Sequence, residues 1–403
     1  ASLEALNAFA DGSLIIEEFL EDCRHIEVQV FADEHKNFVV MGDRDCSLQR
    51  RHQKIIEECP AVGLSKELRD SLYSSSLKLM EKVGYVSCGT VEFLVHKRGD
   101  REDFFFLEMN TRLQVEHSVT EEVWGEDLVL LQLKVAMGEK LPKIKKPCFS
   151  RHSIEARIYA EDPESNFFPS PGTLKAFVPY VGPGIRWEIG VDSHCEVSES
   201  FDPMLAKVIA TGGDRKQAIA TLKQALEKTI ISGVKNNRIF LQQLLQSSFF
   251  IQAQYFTGSI KEHKESILST ISNNGSSKSS DLNKALEQIK LMSVFSNLKV
   301  GTIGSANRDL IESVYSKHKI SKKTEIPVRD YNYITLPHLS QDLKSFVVQT
   351  YAKTDVSRDI CFSCVCWQDS SCKYLHIFLD GYELFVRECE QEQEKYLVEK
   401  TRQ

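Results

Sequence analysis

Hydrophobic and polar positions alternate along "IEVQVFADEHKNFVVM", residues 26–41, with a polar break at Asp33–Asn37. A period of two on both sides of such a break predicts a β-hairpin. Before it, residues 1–20 read as a helical stretch followed by a short apolar strand, Leu14–Ile16. Over residues 65–84 the period lengthens: Leu68, Leu72, Leu79 and Val83 make one face. Ser65 is placed to cap that helix and Gly84 to end it. "GTVEFLVHKRGDREDFFFLEMN" then predicts two apolar strands around a charged turn, and residues 126–137 a further helix stopped by Gly138. Residues 150–210 are strand-rich, with Gly/Pro turns such as "PSPG" at 169–172. Asp214 begins a helix to about Lys228, with Ile219, Leu222 and Leu226 on one side. At 268–281 the composition shifts to Ser, Asn and Gly, which marks a linker. Residues 282–295 read as a helix, and alternating strands follow from about 327.

The hairpin at 90–110 carries the first candidate chemistry. With its turn centred on Asp100, Glu92 faces Glu108. Directly opposed Cβ atoms lie roughly 4.5–5.5 Å apart, and like charges at that distance repel. Either one carboxylate is protonated or a cation sits between them. Asn110 adds a neutral oxygen on the same face, a donor set suited to Mg²⁺. From Glu108 to Glu116 every second residue is polar: Glu108, Asn110, Arg112, Gln114, Glu116. That is the pattern of a half-buried strand. An ordinary wet face, however, favours Lys, Thr and Ser. Arg112 suits an anion and Glu116 a general base. "DRDCSLQRRHQK", 43–54, sets Arg50, Arg51, His52 and Lys54 beside a strand. This is either a solvated charge run or a phosphate or bicarbonate pocket.

Composition adds bounds. The 403 residues allow two or three domains. A net charge of −7 argues against non-specific nucleic-acid binding. No apolar run is long enough to span a membrane. Eleven scattered cysteines read as reduced thiols rather than a disulfide framework. In "CFSCVCWQDSSC", Cys364 and Cys366 fall on one strand face and Cys361 on the other, with Cys372 beyond. That is a poor tetrahedral cage for zinc.

Several motifs in this order carry a family resemblance: "DRDCSLQRRHQK", "EMNTRLQVEH", "EARIYAEDP", "PSPG" and "FDPMLAKVI". Together they resemble the biotin carboxylases of the ATP-grasp superfamily, over residue 1 to about 265. The likeness is strongest to the α subunits of acyl-CoA carboxylases, such as the methylcrotonyl-CoA or propionyl-CoA enzymes. It implies an α+β fold: the C-terminal part of an ATP-grasp domain with the β-rich biotin carboxylase C-terminal domain. A smaller helix-plus-antiparallel-β domain, joining the subunits, follows. The implied boundaries are a lid-domain remnant at 1–19, the carboxylase region at 20–265, a linker at 266–281 and the small domain at 282–403.

The resemblance also implies chemistry. MgATP (or MnATP) phosphorylates bicarbonate, and the carboxyphosphate formed releases CO₂ to biotin on a carrier domain. Glu92, Glu108 and Asn110 match the metal site. Lys54 matches a lysine near phosphate and bicarbonate. Glu17, Phe19, Leu20, His25, Gln49, His52 and Leu94 match nucleotide-pocket positions. Arg112, Gln114, Val115 and Glu116 match the bicarbonate site, with Glu116 as base. Arg157 matches the arginine that stabilises the biotin enolate, and Arg186 a position at the interface between like subunits. Implied partners are bicarbonate, the biotin carrier domain and a carboxyltransferase β subunit. The implied location is a bacterial cytoplasm or a mitochondrial matrix.

There are departures. Ser118 stands where the family has proline, Glu18 replaces a lysine, and Phe256 takes the place of a histidine. The family's first domain, its glycine-rich lid and its biotinyl-lysine motif find no match in these 403 residues. The expectation is therefore an incomplete portion of an enzyme that does not turn over alone. The rivals are a scaffold that kept the fold and a carboxylase of the pyruvate type.

Overall fold

A computed structural model describes residues 1–99, 101–144, 151–193 and 195–277 (backbone alone from 270), and the backbone of five strands between Ser345 and Glu399. The helix expected at 282–295 lies outside the described residues. The chain divides into two compact units: residues 1–156, 209–218 and 248–263 form the first, and 157–208, 219–247 and the chain from 264 the second.

The first unit opens with helix α1 (Ser2–Phe9) and is built on an antiparallel sheet. Its strands are β1 (Arg24–Ala32), β2 (Phe38–Arg50), β3 (Gln53–Cys59), β4 (Ser87–Arg98), β5 (Arg101–Asn110) and β6 (from His152), in the order β6-β3-β2-β1-β4-β5. Alternation along β1 decides its two faces. Ile26, Val28, Val30 and Ala32 join Val91, Phe93 and Val95 of β4 in one apolar layer. Helix α2 (Lys66–Val83) covers that layer with Leu68, Leu72 and Met80. Truncating one such leucine to alanine costs about 2–5 kcal/mol. Ser65 Oγ caps α2 by accepting from Leu68 N, and Gly84 ends it at φ 64°. The buried stripe ends in Met80 rather than Val83, which is exposed.

The other face of β1 carries His25, Glu27 and Gln29, all buried. Two helices pack beside it, α3 (His117–Trp124) and α4 (Leu128–Ala136). Sequence periodicity gives α4 but not α3. Leu14–Ile16 forms no strand and is exposed, because no neighbouring strand pairs with it.

Two bulges set the register. Between Val28↔Asp43 and Val30↔Val40, β2 carries one residue more than β1. Gly42 lies there at φ 86°, a conformation that favours glycine. Between Glu92↔Glu108 and Phe93↔Phe106, β5 carries the extra residue, Leu107. Glu92 thus faces Glu108 as expected, but for another reason. The turn is centred between Gly99 and Asp100, since Arg98 pairs Arg101, and the bulge supplies the remaining shift.

In the second unit, Phe167 meets Phe240 edge to face at 5.0 Å. Asn237 Nδ2 donates to Arg157 O (3.0 Å), and its Oδ1 accepts from Tyr159 N (2.9 Å). A helix runs over Ser259–Ser277, into the stretch whose composition marks a linker.

Candidate functional site

Register places one row of charges across four strands of the first unit: Arg44 on β2, Glu27 on β1, Glu92 on β4 and Glu108 on β5. Glu27 and Arg44 are fully buried. Arg44 Nη2 donates to Glu27 Oε2 (3.0 Å), Thr90 Oγ1 (3.1 Å) and Gln114 Oε1 (2.8 Å), and its Nη1 to Gln29 Oε1 (2.6 Å) and Thr120 Oγ1 (3.1 Å). Such saturation is what makes a buried guanidinium tolerable.

Lys54 reaches this row from β3. Its Nζ donates to Glu27 Oε1, to Glu116 Oε1 (2.7 Å) and to Glu92 Oε1 (3.2 Å). His25 Nε2 lies 2.9 Å from Glu92 Oε2 and 3.2 Å from Glu27 Oε1, and Gln49 Nε2 sits 3.0 Å from His25 Nδ1. Burial works against charge on His25, but its contacts with Glu27 and Glu92 outweigh this and raise its pKa to about 9. The same balance holds for Lys54: burial opposes its charge, and Glu27 and the other acids lift its pKa above the ordinary range. For Glu27, burial is outweighed by Lys54, His25 and Arg44, so its carboxyl is held well below its usual value.

Gln114 Nε2 donates to Glu92 Oε1 (2.6 Å). Asn110 Nδ2 bridges Glu92 Oε1 (3.0 Å) and Glu108 Oε1 (2.9 Å). The amide thus turns its nitrogen, not its oxygen, toward the carboxylates, and its hydrogens hold the place between two opposed acids. The carboxylates Glu27, Glu92, Glu108 and Glu116 outnumber the cations Lys54, Arg44 and His25 in this group. Donor atoms of His25, Glu27 and Glu92 lie within 4.8 Å of one another, as do those of Glu27, Cys46 and Glu116. Neither of these groups includes Glu108, which meets Glu92 through the Asn110 amide.

The polar row from Glu108 to Glu116 is not one strand. β5 ends at Asn110, residues 111–116 are irregular, and Glu116 stands at the N-cap of α3. That departure lets Gln114 and Glu116 turn inward, both buried, while Arg112 is exposed and donates to Leu113 O at 3.3 Å. Val115 is half-buried. The basic cluster splits as well. Arg51 and His52 form the β2–β3 turn, both at positive φ and exposed, and Arg50 Nη2 bonds Gln53 Oε1 at 2.9 Å.

So the structure gathers His25, Gln49, Lys54, Glu92, Glu108, Asn110, Gln114 and Glu116. Leu94 stands opposite His25 in the β1–β4 register. Glu17 and Phe19 are exposed and Leu20 half-buried, on an irregular segment. Arg157 belongs to the second unit, where it is buried. Arg186 is there too, donating to Glu188 Oε1 at 2.6 Å. Sequence reasoning missed Glu27 and Arg44. The available signal was a pair of opposite charges on the two strands of one hairpin.

A second buried network in the first unit centres on Glu58 of β3. It accepts from Arg215 Nε (2.7 Å) and Nη2 (3.1 Å), from Tyr255 Oη, and meets His152 Nε2 at 2.5 Å. Burial raises the Glu58 pKa, but His152 and Arg215 outweigh it and bring it down to about 2.

Comparisons with known proteins bear on the first network. Residues 1–144 match the carbamoyl-phosphate synthase L chain ATP binding domain, and residues 155–262 the biotin carboxylase C-terminal domain. The α subunit of mitochondrial methylcrotonoyl-CoA carboxylase from Rattus norvegicus is 44% identical over 272 residues, covering 67% of this chain and 38% of that protein. Biotin carboxylase 2 of Bacillus subtilis is 45% identical over 260 residues, 64% of this chain and 58% of its own. The Campylobacter jejuni biotin carboxylase–β,γ-ATP complex superposes with a TM-score of 0.62 at 42% identity, over 65% of this chain and 58% of that one. The biotin carboxylase domain dimer of Hydrogenobacter thermophilus 2-oxoglutarate carboxylase, with MgADP, ADP and bicarbonate, gives a TM-score of 0.63 at 37% identity, over 66% and 58%. The chain thus spans well under two thirds of these relatives. No helix among the described residues is long and apolar enough to cross a membrane. The first domain match spans the charge row and the second follows it in the chain, and with the relatives above they show that residues 1–262 belong to the ATP-grasp biotin carboxylases.

Proposed function

We propose that this chain contributes the ATP- and bicarbonate-dependent carboxylation of carrier-bound biotin, as part of an acyl-CoA carboxylase α subunit. The observation that carries this reading is the Lys54 ammonium held jointly by Glu27, Glu92 and Glu116 at the edge of the Glu92–Glu108 pair. Glu92 and Glu108 would hold Mg²⁺ or Mn²⁺, with Asn110 turning its amide oxygen inward. The ion supplies charge neutralisation for phosphate oxygens. Lys54 would then release its carboxylates in part and present its charge to an anion. Glu116, freed of Lys54, would act as base toward bicarbonate, positioned by the first turn of α3. Arg112, exposed on the loop before α3, is assigned to the anion as it enters, and Arg157 to biotin. The five C-terminal strands are assigned to subunit contact with the carboxyltransferase β subunit. Arg186 is assigned to contact between like subunits.

The test is a chimaera: residues 1–262 of this chain replace the matching segment in a methylcrotonoyl-CoA carboxylase α subunit. Biotin-stimulated, bicarbonate-dependent ATP cleavage should persist, and Glu116→Gln or Arg157→Gln should lower it by roughly 100-fold or more. A chimaera that folds and binds ATP but shows no biotin-stimulated cleavage would support the scaffold reading instead.

A further inference from the structure

The described C-terminal strands form an antiparallel meander: Ser345–Lys353, Asp359–Gln368, Cys372–Leu379, Tyr382–Cys389 and Leu397–Glu399. Leu379 pairs with Tyr382, so Asp380 and Gly381 alone connect the third strand to the fourth. In the sequence, Asp-Gly is among the strongest signals for a two-residue hairpin connection. From it the pairing runs unbroken to Cys372↔Cys389, the first residue of one strand and the last of the next.

In such a hairpin the residues flanking the turn form a hydrogen-bonded pair, and the two pair types alternate outward. Counted from Leu379↔Tyr382, Cys372↔Cys389 falls on a non-hydrogen-bonded pair. Its Cα atoms are expected about 4.5 Å apart, inside the roughly 4.4–6.8 Å that a disulfide spans. The other cysteines of these strands face different residues. Cys361 is opposite Tyr351, Cys364 opposite Val348 and Ile377, and Cys366 opposite Phe346 and Leu375. In the first unit, Cys88 faces Phe31 and Cys59 faces Ser153. Among the described pairings, two thiol-bearing positions oppose each other at Cys372↔Cys389 alone.

We propose that Cys372 and Cys389 form an oxidation site, at which a two-electron thiol oxidant joins them in a disulfide across the hairpin. Each thiol gives up its proton. The first thiolate adds to the oxidant and the second displaces it, so the S–S bond forms as the oxidant leaves carrying two electrons. With diamide as the oxidant, the departing group is the corresponding hydrazine. Selectivity over the first unit follows from burial of its Cys23, Cys46, Cys59 and Cys88, and the half-buried Cys195 of the second unit has no thiol opposite it among the described pairings. Burial pushes the thiols of Cys59 and Cys88 up to about 12, and that of Cys46 well above its ordinary value. Thiols so held are poor nucleophiles at neutral pH.

The experiment is native oxidation of the whole chain with diamide, alkylation of remaining thiols, proteolysis and peptide mass mapping. The expected product is one cross-link, Cys372 to Cys389, lighter by two hydrogens and absent after reduction. Cys372→Ser and Cys389→Ser should each abolish it without a substitute link, with far-UV circular dichroism unchanged. Oxidation of the urea-unfolded chain should scatter links among many cysteines. A native link from either residue to Cys361, Cys364 or Cys366 would overturn the proposal. So would full alkylation of both while other cysteines oxidise.

Discussion

Two carboxylate networks of the first unit solve opposite problems. Glu58 is one acid shared by Arg215, His152 and Tyr255, so its donors outnumber its charge. Glu27, Glu92, Glu108 and Glu116 are several acids sharing Lys54, Arg44 and His25. A saturated acid is finished in the folded protein. An acid-rich group is left with capacity for cations the fold does not supply. Burial alone does not separate the two, since Glu27 and Glu58 are equally inaccessible. The ratio of acids to donors does.

The comparison breaks first at Glu58. Glu58→Ala leaves the half-buried Arg215 and the buried His152 without their acid and should cost about 3–5 kcal/mol in urea unfolding. A loss under ~1 kcal/mol would mean that this network is no more structural than the other. Next comes acid. Glu58 has a folded pKa of about 2 against a usual 4.5, so it is depressed. Its contribution is complete above about pH 4.5 and is lost as pH falls toward 2. It amounts to on the order of 3 kcal/mol, and Glu58→Gln should flatten that limb of the stability curve. Tyr255→Phe removes one donor of several and should cost about 1 kcal/mol. The smallest stability effect belongs to the other network. Glu108→Gln, at an exposed position, should change unfolding by less than about 0.5 kcal/mol. It should also weaken Mn²⁺ binding, read by calorimetry, at least 10-fold. Unchanged Mn²⁺ affinity would place the ion elsewhere.

Local chemistry made part of this legible in sequence. Helix α2 could be read from its caps, and the β1–β2 and β4–β5 hairpins from alternation and polar turns. What escaped depends on residues that break periodicity. Alternation from Glu108 to Glu116 imitates a strand, although the chain leaves the sheet at Asn110 and winds into α3. The Glu27–Arg44 pair was invisible for a similar reason. Carrying the Val30↔Val40 register down the hairpin sets Glu27 against Asp43, an acid against an acid. The extra residue on β2 turns that clash into an ion pair. On β5 the extra residue does the reverse. Without the bulge, the Phe93↔Phe106 register would put Leu107 opposite Glu92. With it, a second carboxylate stands there. The site residues carried over from family motifs were gathered only in part. Glu17, Phe19, His52 and Arg112 remain on exposed segments.

Gly42 gives the β2 bulge a genetic consequence. A Cβ at that position would come within 2.8 Å of Trp124 Nε1. Trp124 closes α3, the same helix that Glu116 opens. One codon change at 42 would therefore damage two places at once, the register that aligns Arg44 and the seat of the helix that Glu116 caps. Second-site suppressors of Gly42→Ala should accordingly map to Trp124, as smaller residues that give the methyl room, rather than to any residue of the charge row.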